Sequence, residues 1–397
     1  VTAVETGVYY DPYMREIVEN PYPVYQRLRD EAPLYYNEKY DFYAVSRFDD
    51  CSRGLNDWQT FPSGRGGILE IIKAGIEMPP GTVIFEDPPT HDIHRALLAR
   101  AFTPRKISAL EEKTRQFTAQ CLDPLVGSGG FDIIAELGAT MPMRVIGLLF
   151  GIPESQQDAV RENADRMLRT EGDGQMDTED HNHLSADAIA EYVDWRIQHP
   201  ADDMVTDLLS TEFTDASGAR RTLTRDEVVT YATVVTGAGN ETTNRLIGWL
   251  VSTLACFPEA RAELVANPAL IPNAVEETLR YEPPGPHIAR YVAADVEFHG
   301  ETVPAGSAIL FIAAAANRDE RRFTDPDRFD IHRQVGNQLA FGLGPHYCLG
   351  AALARLEARV ALEEILKRFP TWEVDFDAAQ ISPTSTVRGW ETLPILL

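Results

Sequence analysis

The sequence predicts a mainly helical, single-domain protein with a minor β region. Three observations lead there: apolar residues recur at helical spacing between about residues 90 and 280, one helical signal runs unbroken across 224–257, and strand-like alternation is confined to short pieces. The helical spacing is carried by Ile107, Leu110, Phe117 and Leu122, and again by Val228, Tyr231, Val235 and Ala238. The long signal opens on Thr224 with Glu227 three residues on, a capping box, and meets no proline before Phe257. At 1.5 Å per residue it spans about 50 Å, enough to cross a domain. The strand-like pieces are Tyr43 to Val45, Arg290 to Phe298 and Ala308 to Phe311, the last two bracketing the turn-rich HGETVPAGS. No repeat and no low-complexity linker divides the chain, so residues 1–397 read as one domain. Two irregular stretches, 62–86 and 170–184, are each a candidate border of a substrate entrance and equally a plain surface loop. His181 and His183, in the acidic second stretch, read as solvated rather than as metal ligands.

Composition narrows the function. Hydrophobic residues make up 44% and charged residues 24%, which suits a large core and not disorder. Acidic residues outnumber basic ones 61 to 36, a formal charge of −25 that repels phosphate backbones and anionic lipid, so nucleic acid is not an expected partner. No run of some twenty apolar residues occurs, and no membrane anchor is expected. Four scattered cysteines, Cys51, Cys121, Cys256 and Cys348, favour a cytoplasmic location without a disulfide framework.

The decisive segment is LAFGLGPHYCLGAALARLEARVALEEIL. Phe341, Gly344, Cys348 and Gly350 stand at F-x-x-G-x-x-x-C-x-G spacing, and a helical run follows at once. Glycines beside a cysteine let backbone approach a flat cofactor and aim N–H groups at the sulfur, and a following helix favours a thiolate by its N-terminal dipole. The bland alternative, a small buried hydrophobe, does not account for those glycines.

This sequence resembles the cytochrome P450 family, in its soluble bacterial branch, over essentially the whole chain. Besides the cysteine loop at 338–350, the resemblance rests on AGNETT from Ala238 to Thr243, EETLR ending at Arg280, and DPPTHDIHR from Asp87 to Arg95, in the family's order. It implies the haem-thiolate fold, haem b ligated through iron by Cys348, and Phe341 packed beside the sulfur. Phe341, Gly342, Gly350 and Ala238 would border the haem. His91, Arg95, Arg290 and His346 would bind its propionates, leaving His94 at the surface. Where many relatives carry histidine this chain has Gln338, a departure expected to alter structure and not to abolish function. Glu277 and Arg280 would form a buried structural pair that engages a later loop at Arg328.

The resemblance also assigns Glu241 and Thr242 to proton delivery during dioxygen activation, beside a helix face thinned by Gly237, Ala238 and Gly239. With neither a flavin fingerprint nor iron–sulfur spacing in the chain, electrons must come from outside, by resemblance from a ferredoxin and its NAD(P)H-dependent reductase. Arg95, Arg100, Arg105, Lys106, Lys113, Arg115, Arg355 and Arg359 would attract such a partner if they converge, and otherwise are a solvated face. The implied reaction is mono-oxygenation of a hydrophobic small molecule with O2, a steroid, terpenoid or other bulky compound. Its pocket walls would be Ile84, Phe85, Val234, Ala238, Gly285, His287, Ile288 and Val387. Gly285 would leave extra room, and His287 would either add one polar contact or stand outside. The alternatives are a peroxide-driven haem enzyme and a non-catalytic haem ligand carrier or sensor.

Overall fold

A computed structural model describes residues 7–170, 175 and 187–397 of the chain. The helices that position the site are α1 (Phe48–Asn56), α2 (Thr90–Ala99), α3 (Glu111–Leu122), α4 (Met141–Phe150), α5 (Glu154–Leu168), α6 (Asp187–Gln198), α7 (Arg225–Cys256), α8 (Ile271–Tyr281) and α9 (Ala351–Arg368). The axis of the molecule is α7, 32 residues and about 48 Å long. Its start is fixed by the capping box: Glu227 N–H donates to Thr224 Oγ1 at 3.2 Å and Thr224 N–H to Glu227 Oε2 at 2.7 Å. Arg221 adds an ion pair to Glu227 at 2.8 Å. From Thr243 to Leu254 every residue of α7 is buried, as in a helix packed on all sides. It lies against α4, α5, α6, α8 and α9. At Gly239 the approach to α4 is so close that a Cβ would stand 3.2 Å from Ile146 Cδ1.

The main sheet contains β1 (Leu34–Asn37), β2 (Phe42–Val45), β3 (Ile288–Tyr291) and β4 (Ala308–Phe311), in the order β1-β2-β4-β3. β2 pairs with β4 in parallel, and the other neighbours are antiparallel. Every residue of β2 and β4 is buried, as suits parallel strands covered on both faces. The expected strand from Arg290 to Phe298 is in fact two. After Tyr291 the chain turns out of the sheet, Ala293 N–H reaching Thr60 O, and Val296–Phe298 pairs separately with Glu301–Val303.

The first irregular stretch hides a short helix, Leu69–Ala74, whose Leu69 and Ile71 are buried and which Gly75 ends at φ 65°. Neighbouring glycine and proline masked this turn in the sequence. The second stretch, with His181 and His183, lies outside the described residues apart from Thr170 and Gln175.

Beneath the cysteine loop, α8 presents Glu277 and Arg280, both 0% exposed and joined by two contacts of 2.8 Å. Arg280 also donates to the carbonyls of Asn317, Pro326 and Arg328. The expected loop is engaged, but by backbone: the second cation on Glu277 is Arg333 at 3.1 Å, and the Arg328 side chain takes no part. Satisfying the pair on every side is what makes it tolerable in the core. Arg280→Ala leaves buried Glu277 with Arg333 on one oxygen alone and should cost roughly 3–5 kcal/mol in urea unfolding, against nearly no change for exposed Arg15→Ala.

Candidate functional site

The cysteine loop is built by glycines in the left-handed region. Gly342 has φ 67° and Gly344 φ 69°. At Gly344 a Cβ would lie 2.5 Å from Leu55 O at the end of α1, so glycine is required on two grounds. The loop closes through Cys348 N–H to Phe341 O at 2.8 Å. Gln338 accepts the Ala340 N–H at 2.5 Å, capping the run into the loop from within. The Phe341 ring lies under the Arg355 guanidinium at 4.4 Å and 6.3 Å from the Tyr347 ring.

Cys348 stands three residues before α9. Burial pushes its thiol above the usual range, while the Gly350 N–H, Arg95 and Arg355 pull it down. Yet the residue is solvent-accessible. A residue that is both surrounded by protein and accessible fits the lining of an internal recess. Ala238 is likewise exposed, midway along a helix packed against α4, α5, α6, α8 and α9.

Four basic groups gather at the edge of this recess. The rings of His91 and His346 stand 4.2 Å apart, and each leaves a buried Nε2 without a partner. Arg95 donates to Tyr347 O at 2.5 Å. Arg290, 8% exposed, donates to Ala289 O at 2.8 Å, and burial lowers its pKa to about 10 against the opposing charge of Asp87. Burial first, then Arg290, His91 and Arg95, drive the His346 pKa down to about 3. Asp92 contacts His91 from the exposed side, and among the described residues neither arginine has a carboxylate within 4.0 Å. Uncompensated, such a cluster is unfavourable, and the orphaned nitrogens await an acceptor. A flat cofactor bearing two carboxylates and a thiolate-seeking metal fits this donor set. His94, by contrast, corrects the expectation of a surface position: it is 4% exposed, bonds Glu86 at 2.7 Å and packs edge-on to Tyr231 of α7. Glu86 is the partner that the sequence alone did not reveal.

On α7, Thr242 Oγ1 donates to Ala238 O at 2.7 Å, the mid-helix back-bond that keeps it in place. Glu241 is not with it. Its carboxylate is 2% exposed and tied to Arg245 one turn on, with Oε2 left unpartnered. Arg245 was missed in the sequence, although four-residue spacing on a helix is the signal for such a pair.

The expected pocket walls divide. Val234, Ala238 and Ile288 are partly or fully accessible, and Ile84 is exposed next to buried Phe85. At Gly285 a Cβ would meet nothing within 4 Å, so the residue borders open space. Val387 is buried in the turn between β5 (Gln380–Ile381) and β6 (Trp390–Thr392). His287 faces a small cavity shared with Tyr10, Pro12 and Arg388. Its Nδ1 is buried without a partner and burial lowers its pKa to about 4. That cavity shares Pro12, Val18, Thr384 and Ser385 with a larger one of about 230 Å³, bounded by Thr170 and Ser382.

Half of the eight basic residues expected to dock a partner are neutralised. Arg115 and Arg359 pair with Glu111 and Glu363, Arg355 with Glu276, and Lys106 with Asp207. Arg100, Arg105 and Lys113 are exposed and have no ion pair among the described residues.

Comparison with known proteins gives one consistent result. A family model described as cytochrome P450 matches residues 175–388. The chain is 38% identical over 395 residues to a putative cytochrome P450 123 of Mycobacterium tuberculosis, covering 97% of this chain and 96% of that one. It is 34% identical to the cyclomarin C epoxidase CymV of Salinispora arenicola, covering 93% of each. A crystal structure of CYP109E1 from Bacillus megaterium with testosterone superposes at TM-score 0.86 and 27% identity, covering 96% and 99% of the two chains.

Because His287 stays neutral when folded and gains a proton when unfolded, it costs stability as pH falls below about 6.5, increasingly down to about 4. His287→Gln should therefore gain on the parent by roughly 2 kcal/mol between pH 7 and pH 5 in urea unfolding. Parallel pH profiles for the two proteins would contradict this.

Proposed function

The chain belongs to the cytochrome P450 family of mono-oxygenases, whose cofactor is haem b held by a cysteine thiolate, and from that premise we propose that it inserts one atom of O2 into a bulky apolar molecule using electrons from a ferredoxin and its reductase. The observation that carries the reading is the recess between Cys348 and the Ala238–Thr242 face of α7, edged by His91, Arg95, Arg290 and His346. Cys348 would ligate the iron, with the Gly350 N–H, Arg95 and Arg355 tempering the thiolate's charge. The two imidazoles and two guanidiniums would take the propionates. When bound, the haem supplies the redox centre at which O2 is reduced and cleaved, which a thiolate ligand favours.

The rest falls to the protein. Thr242 keeps a hydroxyl at the recess wall, where its oxygen can accept a proton and its one O–H can pass a proton on by turning away from Ala238 O. Glu241 is the acid one residue away, and to reach Thr242 it must leave Arg245. Ala238 and Ile288 keep the wall apolar and exclude water that would otherwise divert O2 to peroxide. Gly285 admits a bulky substrate, and the testosterone bound by the Bacillus megaterium relative supports a steroid-sized occupant. The cavity between the N-terminal segment and the C-terminal turn supports an entrance near Thr170, at the edge of the 170–184 stretch. Arg100, Arg105 and Lys113 support docking of an acidic ferredoxin, which long-range attraction would steer despite the acidic chain.

The test begins by titrating the haem-loaded protein with steroids, terpenoids and fatty acids and following the Soret band. With the compound that shifts it, Thr242→Ala should bind equally well but form roughly tenfold less product per reducing equivalent and correspondingly more peroxide. Unchanged product in Thr242→Ala would favour the peroxide-driven reading instead, and no turnover in the parent protein with competent electron partners would favour a carrier or sensor.

A further inference from the structure

Glu241 lies buried on α7, so a proton it gives up has to be replaced from outside through defined groups. Its only bonded partner among the described residues is Arg245, itself 5% exposed. The same Nη2 that holds Glu241 also donates to Ser382 Oγ at 3.0 Å, and Nη1 donates to Trp390 O. Two groups bonded to one nitrogen sit within the span of a single water. Ser382 in turn lines the 230 Å³ cavity between the N-terminal segment and the C-terminal turn. The hairpin is shaped to let this happen. At Gly389 a Cβ would lie 2.5 Å from Arg245 Cβ and 2.7 Å from its Cδ, so any side chain there would expel the arginine. Trp249 and Trp390 lock the hairpin to α7 on either side, through Arg388 O at 3.0 Å and Ser252 Oγ at 2.9 Å.

We propose that Arg245 is a positioning residue that holds Glu241 at the inner end of a proton path entering through Ser382 from the cavity beneath the C-terminal turn. In each cycle Ser382 passes its hydroxyl proton to a water bridging it and Glu241, that water passes a proton to the carboxylate, and Ser382 receives another from cavity water, so serine and bridging water end unchanged. Glu241 becomes the neutral acid, and the net transfer is one proton from bulk water to its carboxylate. Oε2, buried and unpartnered, is the oxygen free to carry that proton onward. The path rests on the mono-oxygenase reading above and adds where its protons come from.

Two experiments on the haem-loaded protein test it. The first does not involve turnover: Ser382→Cys is treated with methyl methanethiosulfonate and the modified sites are located by mass spectrometry. The thiol at 382 should react, and its protection while exposed Cys256 reacts would overturn the path. The second measures turnover in H2O and D2O with a substrate that shifts the Soret band. Ser382→Ala and Arg245→Gln should keep haem content and substrate affinity yet turn over roughly tenfold more slowly, with a larger solvent isotope effect than the parent. Arg245→Lys keeps the charge and loses the fork that grips two partners, so it should behave like Arg245→Gln. Parent-like rates and isotope effects in Ser382→Ala, or full recovery in Arg245→Lys, would overturn the proposal. Glu241→Gln separates the two levels. If it uncouples while the Ser382 and Arg245 variants do not, the path alone fails, whereas if it too is indifferent, the acid relay fails with it.

Discussion

Positive charge collected at the edge of a buried recess has to be balanced, and much of this structure follows from that requirement. His91 and Arg95 come from α2, Arg290 from β3 and His346 from the cysteine loop, and the fold must bring all of them to one place. β3 is anchored by pairing with β4, Arg290 opposite Ile309. The loop is anchored by Gly344 against α1. With no carboxylate within 4.0 Å of Arg95 or Arg290 among the described residues, the two guanidiniums hold a standing electrostatic cost that a dianionic ligand would relieve. The same ligand would give the unpartnered nitrogens of His91 and His346 their acceptors. Folding and cofactor binding are thereby linked: stability is withheld until the ligand supplies it.

A second constraint is α7, which must be structural along most of its length and chemical in one turn. Its C-terminal half is packed on all sides, and its N-terminus is closed by Thr224, Glu227 and Arg221. Rigid ends allow the middle to be thin: Gly239 lets α4 approach closely, and Ala238 beside it stays exposed. Glu241 and Thr242 then face different surroundings although adjacent, since successive helical residues diverge by about 100°. Thr242 looks toward the recess, while Glu241 looks toward the hairpin and Arg245.

The architecture was legible in the sequence where a single local rule governs. The capping box at Thr224 and Glu227 placed the long helix to within a residue, and the alternation at Ala308–Phe311 placed β4. The cysteine loop was legible because its glycines have no substitute. What escaped were partners set by tertiary contacts: Glu86 on His94, Arg333 on Glu277, Ser382 and Trp390 on Arg245. Each joins segments far apart in the chain or displaces a more obvious candidate nearby. The misjudged strand beyond Tyr291 has the same origin, since its alternation is sound and the chain leaves the sheet where Ala293 N–H bonds Thr60 O. Clustering of basic residues in sequence was equally incomplete as a guide, because Glu111, Glu276 and Glu363 cancel Arg115, Arg355 and Arg359.

Everything functional in this account depends on Cys348 presenting a thiolate to haem iron. The most direct test is the absorption spectrum of the haem-loaded, reduced protein under carbon monoxide, beside that of Cys348→Ser. Thiolate ligation predicts a strongly red-shifted Soret band in the parent that disappears in the serine variant while the protein stays folded. A parent spectrum like that of a histidine-ligated haem, or one indifferent to loss of the Cys348 sulfur, would contradict the assignment of this recess.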